Sequence, residues 1–291
     1  KKHQPPFFEP ELSDYLNNKE ILCNVSFSSE YKNIAWDNVD IVMVCVQTPS
    51  LESNQIDTSF VSKVFKSLEN YINENTVVCI KSTIHPEALE KIFADSSFDD
   101  SRIVFNPEFL REGSAFTDFF QPDRIVIGST NKENADKVGS LYVDLDTEIL
   151  YTDPISSQLI KYLSNAYLPL RLSFVNEASQ IISVMGGNLQ ETLKGVGLDT
   201  RIGQNYFRPS PGWGGSCFPK DVAEINSIIK SHNLISPLIS NINKSNSNHQ
   251  EWFADYLINL KNEKIFENIF LIGIAFKDNT DDLRHSPTIS I

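Results

Sequence analysis

Three glycines within four residues, Gly212-Trp213-Gly214-Gly215, run into Ser216-Cys217-Phe218-Pro219-Lys220-Asp221. A thiol, an ammonium and a carboxylate lie within one helical turn of each other in this stretch, a set able to do nucleophilic chemistry. The glycines let the main chain take φ > 0 and come close to a ligand. Beyond them Val222, Ile225, Ile228 and Ile229 recur at helical spacing, and Pro219 fits the first turn, where its missing N–H costs nothing. Cys217 is therefore expected where a glycine loop meets a helix N-terminus, with unpaired N–H groups and partial positive charge. There, with Lys220 three residues on, a thiol pKa falls from about 8.5 toward roughly 3.5–7.5. Asp221, one turn on, is placed to hold a water or a substrate hydroxyl. A lone cysteine is more often a small buried apolar residue. The loop, the helix start, Lys220 and Asp221 together favour a nucleophile.

A second pair, Lys161 and Asn165, stands four residues apart on the side of a long helix opposite its apolar stripe. By position alone a solvated face serves equally well. Pro169 cannot bond back to the Asn165 carbonyl, so a kink is expected beside Asn165. Thr48-Pro49, Ser82-Thr83 and Asn106-Pro107-Glu108 follow strand-like runs, where open α/β sheets bind ligands. Each of these alone also reads as turn chemistry. Cys23, Cys45, Cys79 and Cys217 show no metal-ligand spacing, and no metal is expected; Cys45 and Cys79 lie in apolar runs as filler. None of the five histidines sits in a recognisable partner motif, which disfavours a cysteine hydrolase.

The elements that must position these groups alternate. A short helix is expected near Glu11–Leu16, after Gln4-Pro5-Pro6. Val39–Val46 reads as a strand buried on both faces of a parallel sheet. Then come a helix through Phe60–Tyr71, a strand Thr76–Lys81, a helix Pro86–Ala94 and strands Arg102–Phe105 and Arg124–Gly128. A helix near Asn134–Tyr142 and a strand Thr147–Tyr151 complete a doubly wound, Rossmann-like α/β domain over residues 1–152. From Ser156 to Met185 the period changes. Leu159, Leu163, Ala166, Leu170, Phe174, Ala178, Ile181 and Met185 form a long apolar stripe, and a homodimer through this helix is expected. Gly186-Gly187 ends it and Asn188 caps a shorter helix. Residues 153–262 read as a central helical region, with helices Phe218–Ser231 and one from Ser236-Pro237 through the Asn-rich Asn241–Asn248. Residues 263–291 read as the start of another α/β domain: a buried strand Asn268–Ala275, a loop Lys277–Arg284 and a helix opening at Ser286-Pro287.

Composition bounds the partners. The 291 residues are 41% hydrophobic and 22% charged, ordinary for a soluble globular chain. No apolar run approaches the ~20 residues of a membrane span, no signal-peptide pattern opens the chain, and a cytoplasmic, reducing setting is expected. The net charge of −13 disfavours nucleic acid and anionic membrane, so an anionic ligand needs local Lys and Arg.

Five motifs in order carry a family resemblance: Asn106–Gly113; Leu159-Ile160-Lys161-Tyr162 with Asn165; Asp199-Thr200-Arg201-Ile202-Gly203; Gly212–Asp221; and Ala275-Phe276-Lys277 with Asp281-Asp282-Leu283-Arg284. Together they resemble the nucleotide-sugar 6-dehydrogenases of the UDP-glucose/GDP-mannose dehydrogenase family, from about Pro6 to the last residue. Ser-Cys-Phe-Pro-Lys-Asp is similar to the UDP-glucose branch; the GDP-mannose branch shares a similar segment. The resemblance implies a four-electron oxidation of a C6 alcohol to a carboxylate with two NAD⁺. It gives Cys217 the role of nucleophile toward the intermediate aldehyde, and Lys161 and Asn165 that of steadying the C6 oxygen. Asp221 would orient water, Glu108 act as base in hydrolysis, and Thr83 help position it. Glu108, Phe109, Leu110, Arg111, Glu112, Lys161, Asn165, Arg201, Tyr206, Phe207, Arg208, Pro209, Ser210, Gly214 and Lys277 match substrate contacts. Thr48, Thr83, Glu112, Lys220 and Arg284 match NAD contacts, and Arg201 is implied to reach the neighbouring subunit's site.

Three departures stand beside the match. The Gly-x-Gly-x-x-Gly turn and the family's opening strand–helix–strand, roughly 30 residues or more, are absent. The UDP-holding domain is cut after its first helix begins, and Pro169 replaces a usually small residue. The first two are expected to reflect sequence missing from both ends. The competing reading is a non-catalytic, nucleotide-sugar-binding dimerisation relic; the intact Cys217, Lys161, Asn165 and Asp221 speak against it.

Overall fold

The computed structural model describes residues 5, 7–49, 57–95, 98–263, 266 and 268–291; Gln4 and Pro6 of the proline-rich start lie outside them. Two compact units divide the chain, Lys1–Lys161 and Tyr162–Ile291. The first runs α1 (Leu12–Asn17), α2 (Lys19–Leu22), β1 (Ile41–Val44), α3 (Ser59–Leu68), β2 (Val77–Ile80), α4 (Leu89–Asp95), β3 (Ile103–Phe105), α5 (Ala115–Phe120), β4 (Ile125–Gly128), α6 (Lys132–Gly139) and β5 (Ile149–Thr152). α7 (Pro154–Val184) then continues from the first unit into the second.

The strands form one Rossmann-like sheet in the order β1-β2-β3-β4-β5. Alternation sends successive side chains to opposite faces. Val78, Ile80, Ile103 and Phe105 meet Val61, Phe65 and Leu68 of α3 and Leu89 and Ile92 of α4. Val77, Cys79, Val104, Ile125 and Ile127 meet Ala135 and Val138 of α6 and Tyr142. Covering both faces is why β2 and β4 read as unbroken apolar runs. Each large side chain so buried contributes about 1.5–3 kcal/mol. The pairs β1–β2, β2–β3 and β4–β5 are parallel. β3 and β4 meet antiparallel, through Phe105 and Gly128.

Two expectations change here. β1 is not buried on both faces: it lies at the end of the strand order, and Met43 is 37% exposed. Cys45, just beyond it, is exposed, whereas Cys79 is filler, its thiol pushed up to about 12 by burial. Helix α5 was not anticipated. Its N-terminus is held from far away, because the Glu9 carboxylate accepts the N–H groups of Gly113 and Ala115, both at 2.8 Å.

The second unit adds α8 (Leu189–Gly197), α9 (Phe218–Ser231), α10 (Pro237–Ser240), α11 (Ile242–Asn262) and α12 (Pro287–Ser290). Asn188 caps α8 through the Glu191 N–H, as its residue type predicts. The helix expected from Ser236 divides at Asn241, and the Asn-rich stretch is helical. α7 runs unbroken through Pro169. Polar Lys161, Asn165, Ser173 and Asn176 are buried beside Tyr162, Ala166 and Val175, while Leu163, Phe174, Ile181 and Met185 of the apolar stripe are exposed. Asn268–Ala275 is not a strand: Phe270 and Ile272 are 82% and 94% exposed. A strand needs a ladder partner, and no neighbouring strand flanks this run among the described residues. No helix of the described residues is long and apolar enough to cross a membrane.

Candidate functional site

In the first unit the carboxyl ends of β1, β2 and β3 lie side by side, so the segments carrying Thr48, Thr83 and Glu108 leave the sheet at one edge. Ser82 Oγ donates to the Val46 carbonyl at 2.5 Å, binding the β2 exit to the β1 exit. Gln158, at the start of α7, accepts the Ile84 N–H at 2.8 Å. Lys161 is 3% exposed, a burial that an ammonium tolerates only with partners. It donates to the Glu108 carbonyl at 2.5 Å and to Glu108 Oε1 at 3.1 Å, and lies 5.3 Å from the Phe109 ring centre. Glu108 Oε2 accepts the Leu110 N–H at 2.6 Å, so both carboxylate oxygens are oriented. Arg111 is held by Asp118 through its guanidinium and its N–H.

Lys81, which the motif reading passed over, lies behind this edge. It donates to Asn106 Oδ1 at 3.1 Å and to the Tyr142 hydroxyl at 3.4 Å, and Asn106 Nδ2 donates to the Val126 carbonyl. Burial lowers the Lys81 pKa. A lysine directly after an apolar strand was the available signal.

In the second unit Cys217 occupies the N-cap position of α9, exposed, with its carbonyl accepting the Asp221 N–H at 2.9 Å. Its sulfur lies 3.6 Å from Ser216 Oγ. Asp221 is 1% exposed, and both of its carboxylate oxygens are hydrogen-bonded within the protein. Asn165 Nδ2 donates to Oδ2 at 2.6 Å and Lys220 Nζ to Oδ1 at 2.8 Å. The solvated-face reading of Lys161 and Asn165 therefore fails. Glu224, three residues past Asp221, is fully buried, and desolvation pushes its carboxyl up to about 7 against the pull of Lys220.

The glycines of the loop approach the protein itself. A Cβ on Gly214 would lie 1.8 Å from the His285 carbonyl oxygen, and one on Gly215, at φ +86°, 2.7 Å from the Phe276 ring. The Gly215 N–H donates to the Arg284 carbonyl at 3.0 Å. Residues 276–287 thus back the thiol-bearing loop. Arg284 itself is gripped by Asp282 at 2.7–2.9 Å, and Lys277 folds over Phe276. Tyr206 adopts φ +53°, Phe207 is buried with Val175 and Leu193, and Arg208 is exposed. Arg201 is exposed and paired with Asp199, whose carboxyl it draws down.

For a dinucleotide, the chemistry of the donor set is the test. Hydroxyls of Thr48 and Thr83 at adjacent parallel-strand exits suit ribose and carboxamide groups. Lys220 and Arg284, the cations that the resemblance adds to this set, are each paired with an aspartate, Asp221 and Asp282. A glycine-rich pyrophosphate turn is not among the 291 residues. Among the described residues no group of three or more His, Cys, Asp or Glu could hold a metal ion.

A mostly parallel sheet with polar residues at its strand exits, followed by a long helix and a glycine–cysteine loop, defines a nucleotide-binding α/β scaffold of the Rossmann type. Residues 1–146 match the NAD binding domain, and residues 155–248 the central domain, of the UDP-glucose/GDP-mannose dehydrogenase family. The chain belongs to that family. It is 36% identical to a UDP-glucose 6-dehydrogenase of Rickettsia felis, across 98% of this chain and 65% of the relative. A solved UDP-glucose dehydrogenase from Pyrobaculum islandicum superposes with a TM-score of 0.84 at 32% identity, over 99% of this chain and 68% of that one. A GDP-mannose dehydrogenase from Pseudomonas aeruginosa gives 0.64 at 27%, with coverage of 99% and 68%. The chain thus spans about two thirds of the length of these relatives.

Proposed function

We propose that this chain carries the catalytic core of an NAD-dependent nucleotide-sugar 6-dehydrogenase that converts the C6 alcohol of UDP-glucose to the carboxylate of UDP-glucuronate. The observation that carries the reading is the 2.6 Å bond from Asn165 to Asp221 on the first turn of α9, the helix that opens on Cys217. Two helices distant in sequence bring together residues that the motifs single out separately. The names of the relatives support UDP-glucose: the curated relative at 36% identity and the solved structure at 32% are both UDP-glucose dehydrogenases, against 27% for the GDP-mannose dehydrogenase.

Bound NAD⁺ supplies a hydride acceptor for each of the two oxidations. Thr48, Thr83, Glu112, Lys220 and Arg284 match the family's dinucleotide contacts and would hold it. Lys161 and Asn165, one turn apart on α7, steady the C6 oxygen as the first hydride leaves carbon for the bound acceptor and the hydroxyl proton passes to solvent water. The resulting aldehyde cannot readily yield a second hydride until a nucleophile adds. Cys217 Sγ bonds to C6 and gives a thiohemiacetal, which loses hydride to become a thioester. Glu108, aided by Thr83, takes a proton from water, whose oxygen adds to C6; the C–S bond breaks and the thiolate is restored. Asp221 orients Asn165 and Lys220, and through them the water beside the C6 oxygen. Residues Phe109–Glu112, Arg201, Tyr206–Ser210, Gly214 and Lys277 contact the nucleotide sugar in this reading, Phe207 through its backbone. The cytoplasm, where thiols stay reduced, suits a cysteine nucleophile. The exposed Leu163, Phe174 and Ile181 on α7 support a homodimer across that helix.

The test uses the full-length enzyme with UDP-glucose, GDP-mannose and UDP-N-acetylglucosamine. UDP-glucose is expected to give the highest kcat/KM, with two NADH per sugar acid and no free aldehyde. Equal or better use of either competitor refutes the substrate. Sugar acid formed by Cys217→Ala at the wild-type rate removes the thiol from the mechanism.

A further inference from the structure

Between Pro209 and Gly214 the chain has no regular structure, and among the described residues the polar backbone groups of Ser210 and Trp213 bond to no other main-chain group. Buried backbone N–H and C=O groups nonetheless require partners. Side chains provide all four. Asn246 on α11 accepts the Trp213 N–H through Oδ1 at 3.0 Å and donates Nδ2 to the Trp213 carbonyl at 2.9 Å. Its carboxamide thus does for Trp213 what a neighbouring strand would do. One turn on, His249 places Nε2 2.8 Å from the Ser210 carbonyl. Gln180 on α7 offers its amide nitrogen to His249 Nδ1 at 2.8 Å. An amide nitrogen only donates, so Nδ1 accepts and Nε2 carries the proton given to Ser210. Asn176 accepts the Ser210 N–H at 2.9 Å.

These partners are buried: Asn176 is 0%, His249 2% and Asn246 8% exposed. The Trp213 indole N–H donates to Ser173 Oγ at 2.9 Å, and its ring packs with Ala166, Val222 and Ile242. Trp213 lies four residues before Cys217, and Val222 five after it. The Trp213 ring thus joins the loop that precedes Cys217 to the helix that follows it.

We propose that Asn246 and His249 are positioning residues for Cys217: a carboxamide–imidazole clamp on α11 that sets the path of the thiol-bearing loop. The proposal rests on the reading of Cys217 as the nucleophile. The two act through the backbone and touch neither substrate nor reacting atoms.

The full-length enzyme tests it with four variants. Asn246→Asp keeps the acceptor for the Trp213 N–H but turns an oxygen toward the Trp213 carbonyl. Asn246→Ser shortens the clamp without adding charge. His249→Leu removes the donor to Ser210, and His249→Gln retains one. Alkylation of Cys217 by iodoacetamide is followed peptide by peptide, beside kcat and KM for UDP-glucose and thermal unfolding. Asn246→Asp, Asn246→Ser and His249→Leu are expected to change the Cys217 alkylation rate about fivefold, the equilibrium weight of one ordinary hydrogen bond. They should lower kcat by about tenfold to a hundredfold, the scale of a ~1 Å misplacement. KM should move less than kcat, and His249→Gln should lie within about twofold of wild type on both readouts, a difference below one hydrogen bond. Wild-type alkylation and kcat in Asn246→Ser and His249→Leu, with only the melting temperature lowered, overturn the proposal even if Asn246→Asp does not fold. Altered alkylation with full activity in Cys217→Ala upholds the clamp while refuting the thiol chemistry.

Discussion

The bond between Asn165 and Asp221 ties α7 to the first turn of α9, and its worth can be measured. Asp221 is 1% and Asn165 7% exposed, and the donor–acceptor distance is 2.6 Å. A hydrogen bond to a charged group at such a site contributes about 1.5–3 kcal/mol. Asn165→Ala removes it and leaves one carboxylate oxygen buried, with Lys220 as the remaining partner, so a loss of about 2–3 kcal/mol is expected. Asp221→Ala leaves the Asn165 amide unpaired instead, at a similar cost. Lys220, whose side chain is 22% exposed, turns to water and adds less than about 1 kcal/mol. The double variant leaves neither partner stranded. Its loss should fall short of the sum of the single losses by about 1.5–3 kcal/mol. Urea unfolding followed by Trp213 reads the second unit, because that ring packs on Ala166 and Val222, the neighbours of the two residues. Replacing Trp36 and Trp252 with Phe isolates its signal. A coupling below about 0.5 kcal/mol, the range of independent sites, would refute the bond and with it the assembly of α7 and α9 around the thiol.

Glu224 predicts a pH dependence. Its folded pKa, raised to about 7, means that its stabilising contribution is complete below the unfolded value near 4.3 and is lost as pH rises through about 7. The second unit's urea midpoint should fall across that window, and Glu224→Gln should remove the slope; an unchanged slope counts against the buried carboxyl. The glycines predict opposite signs. Gly214→Ala puts a carbon 1.8 Å from the His285 oxygen and should cost more than about 2 kcal/mol, whereas Gly195→Ala on α8, with nothing within 4 Å, should gain about 0.5–1 kcal/mol. Thermal unfolding compares the two, and equal effects would refute the loop packing. Ile181, 66% exposed on α7, predicts that Ile181→Glu yields a monomer where wild type sediments as a dimer. A wild-type monomer at micromolar concentration sinks the dimer.

Local chemistry made the sequence legible where one segment decided its own state. Cys217 at the head of α9, Pro219 in its first turn and Asn188 capping α8 follow from residue type and spacing, because caps and first turns satisfy their own backbone groups. The apolar runs of β2 and β4 showed a sheet covered on both faces. The stripe on α7 was equally visible, but which side faced inward was not. Periodicity gives two faces, and the burial of Lys161, Asn165 and Asn176 depended on Glu108, Asp221 and Ser210, each distant in sequence. Asn268–Ala275 carried a strand's composition, yet a strand exists only through the hydrogen bonds of a neighbour. The glycines of the thiol loop are the sharpest case. Composition marked a close approach, and only the fold decided that Gly214 and Gly215 approach His285 and Phe276, because contact between segments more than sixty residues apart is a property of packing rather than of either segment.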